Sequence, residues 1–178
     1  MQNIDLILAQ KASKGDKAAF QQLLERHYDK MYRLAYRFTG HRQDAEDIVQ
    51  DICLKLVDKL QAFRGDSNFS TWLYRVILNA CKDFCKSRGR ARNLEKTFEE
   101  LQEFAREDSK DHKHKSAWLH NALNQIEPEL RDTAILILDE NLTHAEAGKI
   151  LDCAEATVSW RLFEVRKKLK QIREENHG

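Results

Sequence analysis

Proline occurs once in this chain, at Pro128, and glycine only six times, so very little in 178 residues forbids a helix. Between the few breaks, apolar residues recur three and four positions apart. Leu, Ala, Lys, Glu and Arg are abundant, which favours helices over strands. The fold class that follows is all-α. A chain of this length supports one or two small cores, and the 33% of charged residues suits small helical units with much surface.

Three zones succeed one another. From Asp5 to about Arg88 the chain reads as consecutive amphipathic helices. Leu6, Ala9, Ala12 and then Ala19, Leu23, Leu24 carry apolar spacing across a break at Lys14-Gly15-Asp16. Tyr28, Met31, Tyr32, Ala35 and Tyr36 continue a helix that Gly40 can end. A new helix is expected from Asp44, with Ala45, Ile48, Val49, Ile52, Leu56 and Leu60 on one face. After the turn-prone Arg64-Gly65-Asp66-Ser67-Asn68, Ser70 or Thr71 is expected to cap a last helix. The second zone, about Gly89 to Lys115, mixes both charge signs densely and reads as a flexible, solvated linker holding His112 and His114, with room for a helix around Leu94 to Phe104. The third, Trp118 to about Ile172, is helical again.

The amino terminus has no basic segment leading into an apolar stretch, and the longest apolar run, Ala134 to Leu138, is too short to cross a bilayer. A cytoplasmic protein is expected. Cys53, Cys81, Cys85 and Cys153 lack paired CxxC spacing, which fits reduced thiols in or near a core better than a disulfide framework or zinc site. A net charge of +1 is low for a protein that finds DNA unaided, because phosphate neutralisation supplies most non-specific affinity. Any nucleic-acid surface is therefore local, with a larger partner sharing the grip.

Three constellations carry chemistry. Thr143-His-Ala-Glu146 is a capping box opening a short helix that ends near Leu151; Asp152-Cys153 turns, and a longer helix begins near Ala154. Val158, Leu162, Val165 and Leu169 face inward, leaving Glu155, Thr157, Ser159, Trp160, Phe163 and Glu164 near the exposed early end. This is helix-turn-helix order, in which that end meets base edges, with Arg161, Arg166, Lys167, Lys168, Lys170 and Arg173 supplying phosphate contacts. An ordinary amphipathic helix pair gives much the same pattern; the basic run tips the balance toward DNA. The second constellation is the helix Thr71 to Lys86. Leu73, Val76, Ile77, Ala80 and Phe84 form a core stripe, while Trp72, Arg75, Asn79, Lys82 and Lys86 form another, extended by Arg88, Arg90 and Arg92. An aromatic and an amide among cations suit a strand with exposed bases, although Trp72 serves equally well as a half-buried anchor. Third, Asp44, Asp47 and Asp51 recur at helical spacing beside Glu46 and Gln50, an acidic face for a basic partner. Helix-start acids favoured by the macrodipole account for Asp44 to Asp47 but not for Asp51.

Together these stretches resemble the extracytoplasmic-function (group IV) sigma factors of the sigma-70 family. Asp44-Ala-Glu-Asp-Ile-Val-Gln-Asp51 is similar to the region 2.2 helix, Phe63-Arg-Gly-Asp-Ser-Asn-Phe-Ser-Thr-Trp-Leu-Tyr-Arg-Val76 with Asn79 to regions 2.3 and 2.4, and Leu142 to Leu169 to region 4.2. The resemblance implies two small helical domains joined by the linker, with region 2 over 1–90, the linker over 91–116 and region 4 over 117–178. It implies that Asp44, Asp47, Gln50 and Asp51 contact the beta-prime subunit of core RNA polymerase. Phe63, Arg64, Ser67 and Asn68 would shape a pocket for a base flipped from the −10 strand, beside Asn79, while Trp72 supports the melted edge and Arg75, Lys82, Lys86 and Arg88 hold the backbone. Flipping costs a few kcal/mol, so a pre-shaped loop and an aromatic belong there. Glu155, Thr157, Ser159, Trp160, Arg161, Phe163, Glu164 and Arg166 would meet the −35 duplex. Here the chain departs from the family, which commonly has Gly-Thr-Val-Lys/Arg-Ser-Arg and a further basic residue where this chain has Ala156-Thr-Val-Ser-Trp-Arg161 and Glu164. An altered base contact shifts discrimination by roughly 1–3 kcal/mol, so the −35 sequence is expected to differ. The resemblance also implies promoter DNA and an anti-sigma factor as partners, no cofactor or metal, and no enzymatic activity. The rivals are an autonomous helix-turn-helix regulator with a sensing domain, and a small metal-dependent hydrolase using Asp44, Asp47, Asp51 and His41; the second lacks a nucleophile–base pair or a glycine-rich phosphate loop.

Overall fold

The computed structural model describes residues 4–92, 118–119, 121–138 and 142–175, and among these every regular element is a helix. In chain order they are α1 (Ile4–Ala12), α2 (Lys17–Thr39), α3 (Arg42–Gln61) and α4 (Phe69–Arg92), then α5 (Pro128–Leu138), α6 (His144–Leu151) and α7 (Glu155–Glu175). The expected helix at Leu94 to Phe104 and the linker, with His112 and His114, lie outside the described residues.

Local chemistry explains the breaks. Asp16 caps α2 by accepting the Ala19 N–H at 3.0 Å. Gly40 closes the same helix in the left-handed region (φ 72°), where it donates to the Tyr36 carbonyl. Two helix starts differ from expectation. α3 begins at Arg42, two residues before Asp44, with His41 at its N-cap providing no side-chain bond. α4 begins at Phe69, because the Asn68 carbonyl already accepts the Trp72 N–H at 3.2 Å and closes the first turn ahead of Ser70 and Thr71.

The amino-terminal core joins Leu23, Met31, Leu34 and Ala35 of α2 to Ile48, Val49, Ile52, Leu56 and Leu60 of α3, and to Leu73 and Ile77 of α4. Helix α1 lays Leu8, Ala9 and Ala12 against this bundle, the two alanines permitting close approach. Leu6 lies beneath the loop ahead of α4, where a Cβ on Gly65 would meet its Cδ1 at 3.3 Å; Gly65 also has φ 79°, which favours glycine. The carboxyl-terminal core is built from Leu130, Ala134, Ile135 and Leu136 of α5, Ala147 and Ile150 of α6, and Val158, Leu162 and Val165 of α7.

One stripe was expected to bury α4, yet two do. Beside Leu73, Val76 and Ile77, the residues Tyr74, Leu78 and Cys81 are also buried, and α4 packs against α6 as well as α2 and α3. Ala80 and Phe84 are only partly buried. All four cysteines are free thiols, and burial pushes the Cys81 thiol far above its ordinary range, so it stays protonated and unreactive.

A buried histidine sets a pH limit on the bundle. His27 of α2 lies 3.1 Å from the Asp5 carboxylate and 5.1 Å from the ring of Phe69. Burial lowers its pKa; Asp5 opposes that shift, while Lys30 and Arg26 add to it. The folded state thus binds fewer protons here than the unfolded chain as pH falls below about 6.5, and stability falls with it until the folded imidazole also titrates. The melting temperature of the amino-terminal domain, followed by circular dichroism, is expected to drop between pH 7.5 and 5.5, with a smaller drop in His27→Gln.

Candidate nucleic-acid and polymerase interfaces

The loop before α4 and the first turn of that helix form an aromatic cluster. Phe63, Phe69 and Trp72 stand mutually in contact, with centroid separations of 5.1 Å (Phe63–Trp72), 5.6 Å (Phe69–Trp72) and 5.7 Å (Phe63–Phe69). Phe69 is fully buried and anchors the other two, which are half-buried and keep part of their rings in solvent. Trp72 is therefore the half-buried anchor that the sequence allows, with part of its ring left in solvent. Arg64 and Asn68 are exposed at the loop, and Ser67 is partly so.

Beyond Trp72, Arg75, Asn79 and Lys86 are exposed along α4. Lys82 is half-exposed and pairs with the Asp132 carboxylate of α5 at 2.7 Å. Arg88, Arg90 and Arg92 belong to α4, but their side chains lie outside the described residues.

On α3 the acidic face needs one correction. Asp44 is buried at the helix start, beside Ala45 and one turn before Ile48, so it is not part of an exposed face. Asp47, Gln50 and Asp51 are exposed as expected, Asp51 pairing with Lys55 at 2.7 Å. The burial of Asp44 also separates it from the two acids with which a metal-dependent hydrolase would use it. Sequence reasoning missed Leu54, which is 80% exposed and continues the Asp47–Asp51 face one turn further on. An apolar residue left bare on a helix is the one available sign, and periodicity alone did not separate it from the core positions around it. A groove between α3 and α4 joins Asp47 and Asp51 to Asn79, over an apolar floor of Ile48, Ile52, Val76, Ala80 and Phe84.

The carboxyl-terminal helices have the expected order. Thr143 and Glu146 form the capping box: the Thr143 N–H donates to the Glu146 carboxylate at 2.9 Å and the Glu146 N–H donates to the Thr143 hydroxyl at 3.2 Å. The Thr143 N–H and the Thr143 hydroxyl, which also donates to the carboxylate at 2.7 Å, hold the Glu146 carboxyl below the usual carboxylate range. Asp152 turns the chain in the left-handed region (φ 54°), its N–H donating to the Gly148 carbonyl. On α7, Trp160 and Phe163 are 59% and 64% exposed, an aromatic pair one turn apart. Glu155 is exposed, and Thr157 and Glu164 are partly buried.

Comparisons with known proteins agree with this layout. Residues 23–91 match the family described as Sigma-70 region 2. The RNA polymerase sigma-H factor of Pseudomonas aeruginosa is 31% identical over 176 residues, covering 93% of this chain and 91% of its own. The ECF RNA polymerase sigma-E factor of Escherichia coli K12 is 31% identical over 181 residues, covering 91% and 90%. This chain belongs to the extracytoplasmic-function sigma factors. Among solved structures, CnrH in complex with the cytosolic domain of CnrY matches with a TM-score of 0.72 at 25% identity, covering 97% of this chain and 99% of that one. The sigma factor RpoE of Bartonella quintana, solved with the anti-sigma factor NepR, shares the fold at a TM-score of 0.61 and 24% identity, covering 87% and 96%.

A sigma factor directs core RNA polymerase to promoters and is a non-enzymatic regulator. The likeness runs through both helical zones, which leaves the autonomous regulator without support. No helix among the described residues is long and apolar enough to cross a membrane.

Within the sigma factor's recognition helix, two expected contacts point elsewhere. The Arg161 side chain is 14% exposed; its guanidinium pairs with Glu129 at 2.9 Å and approaches the Cys153 thiol. It braces α7 against α5 and is not presented to a duplex. Ser159, though exposed, bonds back to His144 at 2.9 Å, tying the two arms of the helix-turn-helix together. Lys168 is likewise drawn to Glu127 at 2.6 Å. Arg166 and Lys167 are exposed.

The turn itself depends on Gly148, which sequence reasoning passed over. A Cβ there would lie 2.7 Å from the Cys153 carbonyl oxygen, inside any tolerable contact with backbone. Gly148→Ala is expected to open the α6–α7 angle, lowering the melting temperature of the carboxyl-terminal domain and weakening −35 duplex binding in a mobility-shift assay. An unchanged melting temperature would show that the turn tolerates the methyl.

Proposed function

We propose that the amino-terminal domain, residues 1–90, grips core polymerase through α3 and the −10 strand through α4 and its preceding loop, while residues 117–178 read the −35 duplex through α7. The observation that carries this is the Phe63–Phe69–Trp72 cluster set at the head of a cationic stripe, with one ring anchored in the core and two half in solvent. Such a platform stacks an unpaired base, and the adjoining Arg75, Asn79, Lys82, Lys86 and Arg88 hold the strand that carries it. Phe63, Arg64, Ser67 and Asn68 border the place where a flipped base enters.

On α3, Asp47, Gln50 and Asp51 supply charge for a basic partner, and the bare Leu54 supplies the apolar contact that an interface core needs. On α7, Glu155, Thr157, Trp160, Phe163 and Glu164 face bases and Arg166 faces phosphate. Trp160 and Phe163 suit thymine methyl groups, and the carboxylates suit a cytosine amine. The sigma factor works in the cytoplasm and leaves the chemistry to the polymerase. That CnrH is found with the cytosolic domain of CnrY supports a cognate anti-sigma factor covering the same surfaces here.

Run-off transcription from fragmented genomic DNA with purified core polymerase tests the whole assignment: promoter-specific transcripts are expected only when the chain is added. Stacking on an aromatic is worth roughly 1–3 kcal/mol per base, so Trp72→Ala is expected to lower open-complex yield, read by permanganate footprinting, about 5- to 100-fold while polymerase binding stays intact. Unchanged melting of the promoter by that variant would remove Trp72 from the −10 site. Asp51→Arg is expected to abolish co-elution with core polymerase at an unchanged melting temperature; normal co-elution would move the polymerase site off α3.

A further inference from the structure

The floor of the aromatic cluster belongs to another helix. Phe69, the buried member, meets the imidazole of His27 on α2, with ring centroids 5.1 Å apart and the planes tilted by 57°. The His27 side chain is only 8% exposed, and its Nε2 lies 3.1 Å from the Asp5 carboxylate of α1. Asp5 is held in turn by Arg26, whose Nε donates to it at 2.8 Å. The next residue, Leu6, sits under Gly65 in the loop ahead of α4. Two consecutive residues of α1 thus reach the cluster, Asp5 through His27 and Phe69, and Leu6 through the loop.

Packing alone does not account for an imidazole here. An apolar ring would fill the place at less cost, because Nδ1 has no hydrogen-bond partner among the described residues and Nε2 approaches only Asp5. What an imidazole adds over a phenyl ring is a proton that it gains and loses. The ionisable groups facing it are Asp5 on α1 and Arg26 and Lys30 on α2, Lys30 also lying over the Tyr74 ring of α4. Burial and the two cations keep the ring neutral while α1 is docked. Once α1 lifts away, the ring meets solvent and titrates as an ordinary histidine, near 6.5. The lifted form therefore takes the extra proton, and its population rises by up to about tenfold for each pH unit below that value.

We propose that His27 is a positioning residue of the −10 site: docked against Asp5, it holds Phe69 in the place from which Phe63 and Trp72 are presented to a base. This rests on the assignment of the cluster to the −10 strand. Promoter melting is then coupled to pH through α1, a helix that need not touch DNA itself. As the medium turns acid, α1 loosens, the floor under Phe69 is lost, and the two outer rings leave the position that suits the strand.

The test compares wild type with His27→Phe, which keeps a ring against Phe69 and loses the proton, both as full chains bound to core polymerase. Open-complex yield on one promoter, read by permanganate footprinting, is expected to fall several-fold in wild type relative to His27→Phe between pH 7.5 and 5.5. The polymerase's own response to pH cancels in that ratio, and a merely structural role for His27 would leave the ratio the same at every pH. In the free chain carrying Trp118→Phe and Trp160→Phe, the emission of Trp72 is expected to shift to the red over the same interval, and the shift is expected to vanish when His27→Phe is added. Parallel pH profiles for wild type and His27→Phe, with native circular dichroism for both, overturn the proposal, as does Trp72 emission that ignores pH. If the emission responds but melting does not, the coupling to promoter melting is overturned, and the fault lies in assigning the cluster to the −10 strand.

Discussion

The packing of α4 is the constraint on which the other surfaces depend. Leu73, Val76 and Ile77 complete the amino-terminal core, Tyr74, Leu78 and Cys81 form a second buried set, and what remains of the circumference carries Arg75, Asn79, Lys82 and Lys86. A helix buried on two sides cannot tilt or rotate without opening one of its cores, since close-packed interiors yield little. The polar stripe is thereby held at a fixed angle to the Phe63–Phe69–Trp72 cluster, and the loop ahead of it is held from below by Leu6 of α1. Rigidity of this kind would spare the proposed −10 site the entropy of ordering when a strand arrives.

Much of this was legible in the chain. The period of the apolar residues marked the core face of α3 and part of that of α2, where Tyr28 and Tyr36 stay exposed; Gly40 marked the end of α2, and the Thr143 to Glu146 box marked the start of α6. These are local signals, each written within one or two helical turns. What stayed hidden depends on partners distant in sequence. Leu78 falls outside the apolar stripe read for α4 yet is buried, and nothing in the sequence around Asp132 shows that Lys82 of α4 lies 2.7 Å from its carboxylate. Asp44 looks like the first member of an acidic face, yet a helix beginning at Arg42 turns it toward the core. Arg161 follows the same logic: one basic residue in a basic run looks much like another, and only the position of Glu129 on α5 shows which one turns inward.

The carboxyl-terminal helices show how a backbone geometry can be secured separately from the surface it presents. The arms of the helix-turn-helix are held by bonds that involve no duplex: His144 to Ser159, Arg161 to Glu129, and the close approach of Gly148 to Cys153. With the scaffold secured from behind, the forward face is left to Trp160, Phe163 and Glu155. In the proposed −35 role, large apolar rings and a carboxylate would read different features from the guanidinium groups that favour guanine.

The inward-turned cations have a consequence for how this domain behaves in salt. A basic residue held on a carboxylate of its own chain neutralises no phosphate, and so displaces none of the counterions condensed on DNA. With Arg161 on Glu129 and Lys168 on Glu127, the carboxyl-terminal domain brings fewer ions to the exchange than its run of basic residues suggests. Under the proposed −35 role, its own hold on a duplex would be weaker and shallower in its dependence on ionic strength, and occupancy at a promoter would come chiefly from the high local concentration imposed once the other domain is engaged.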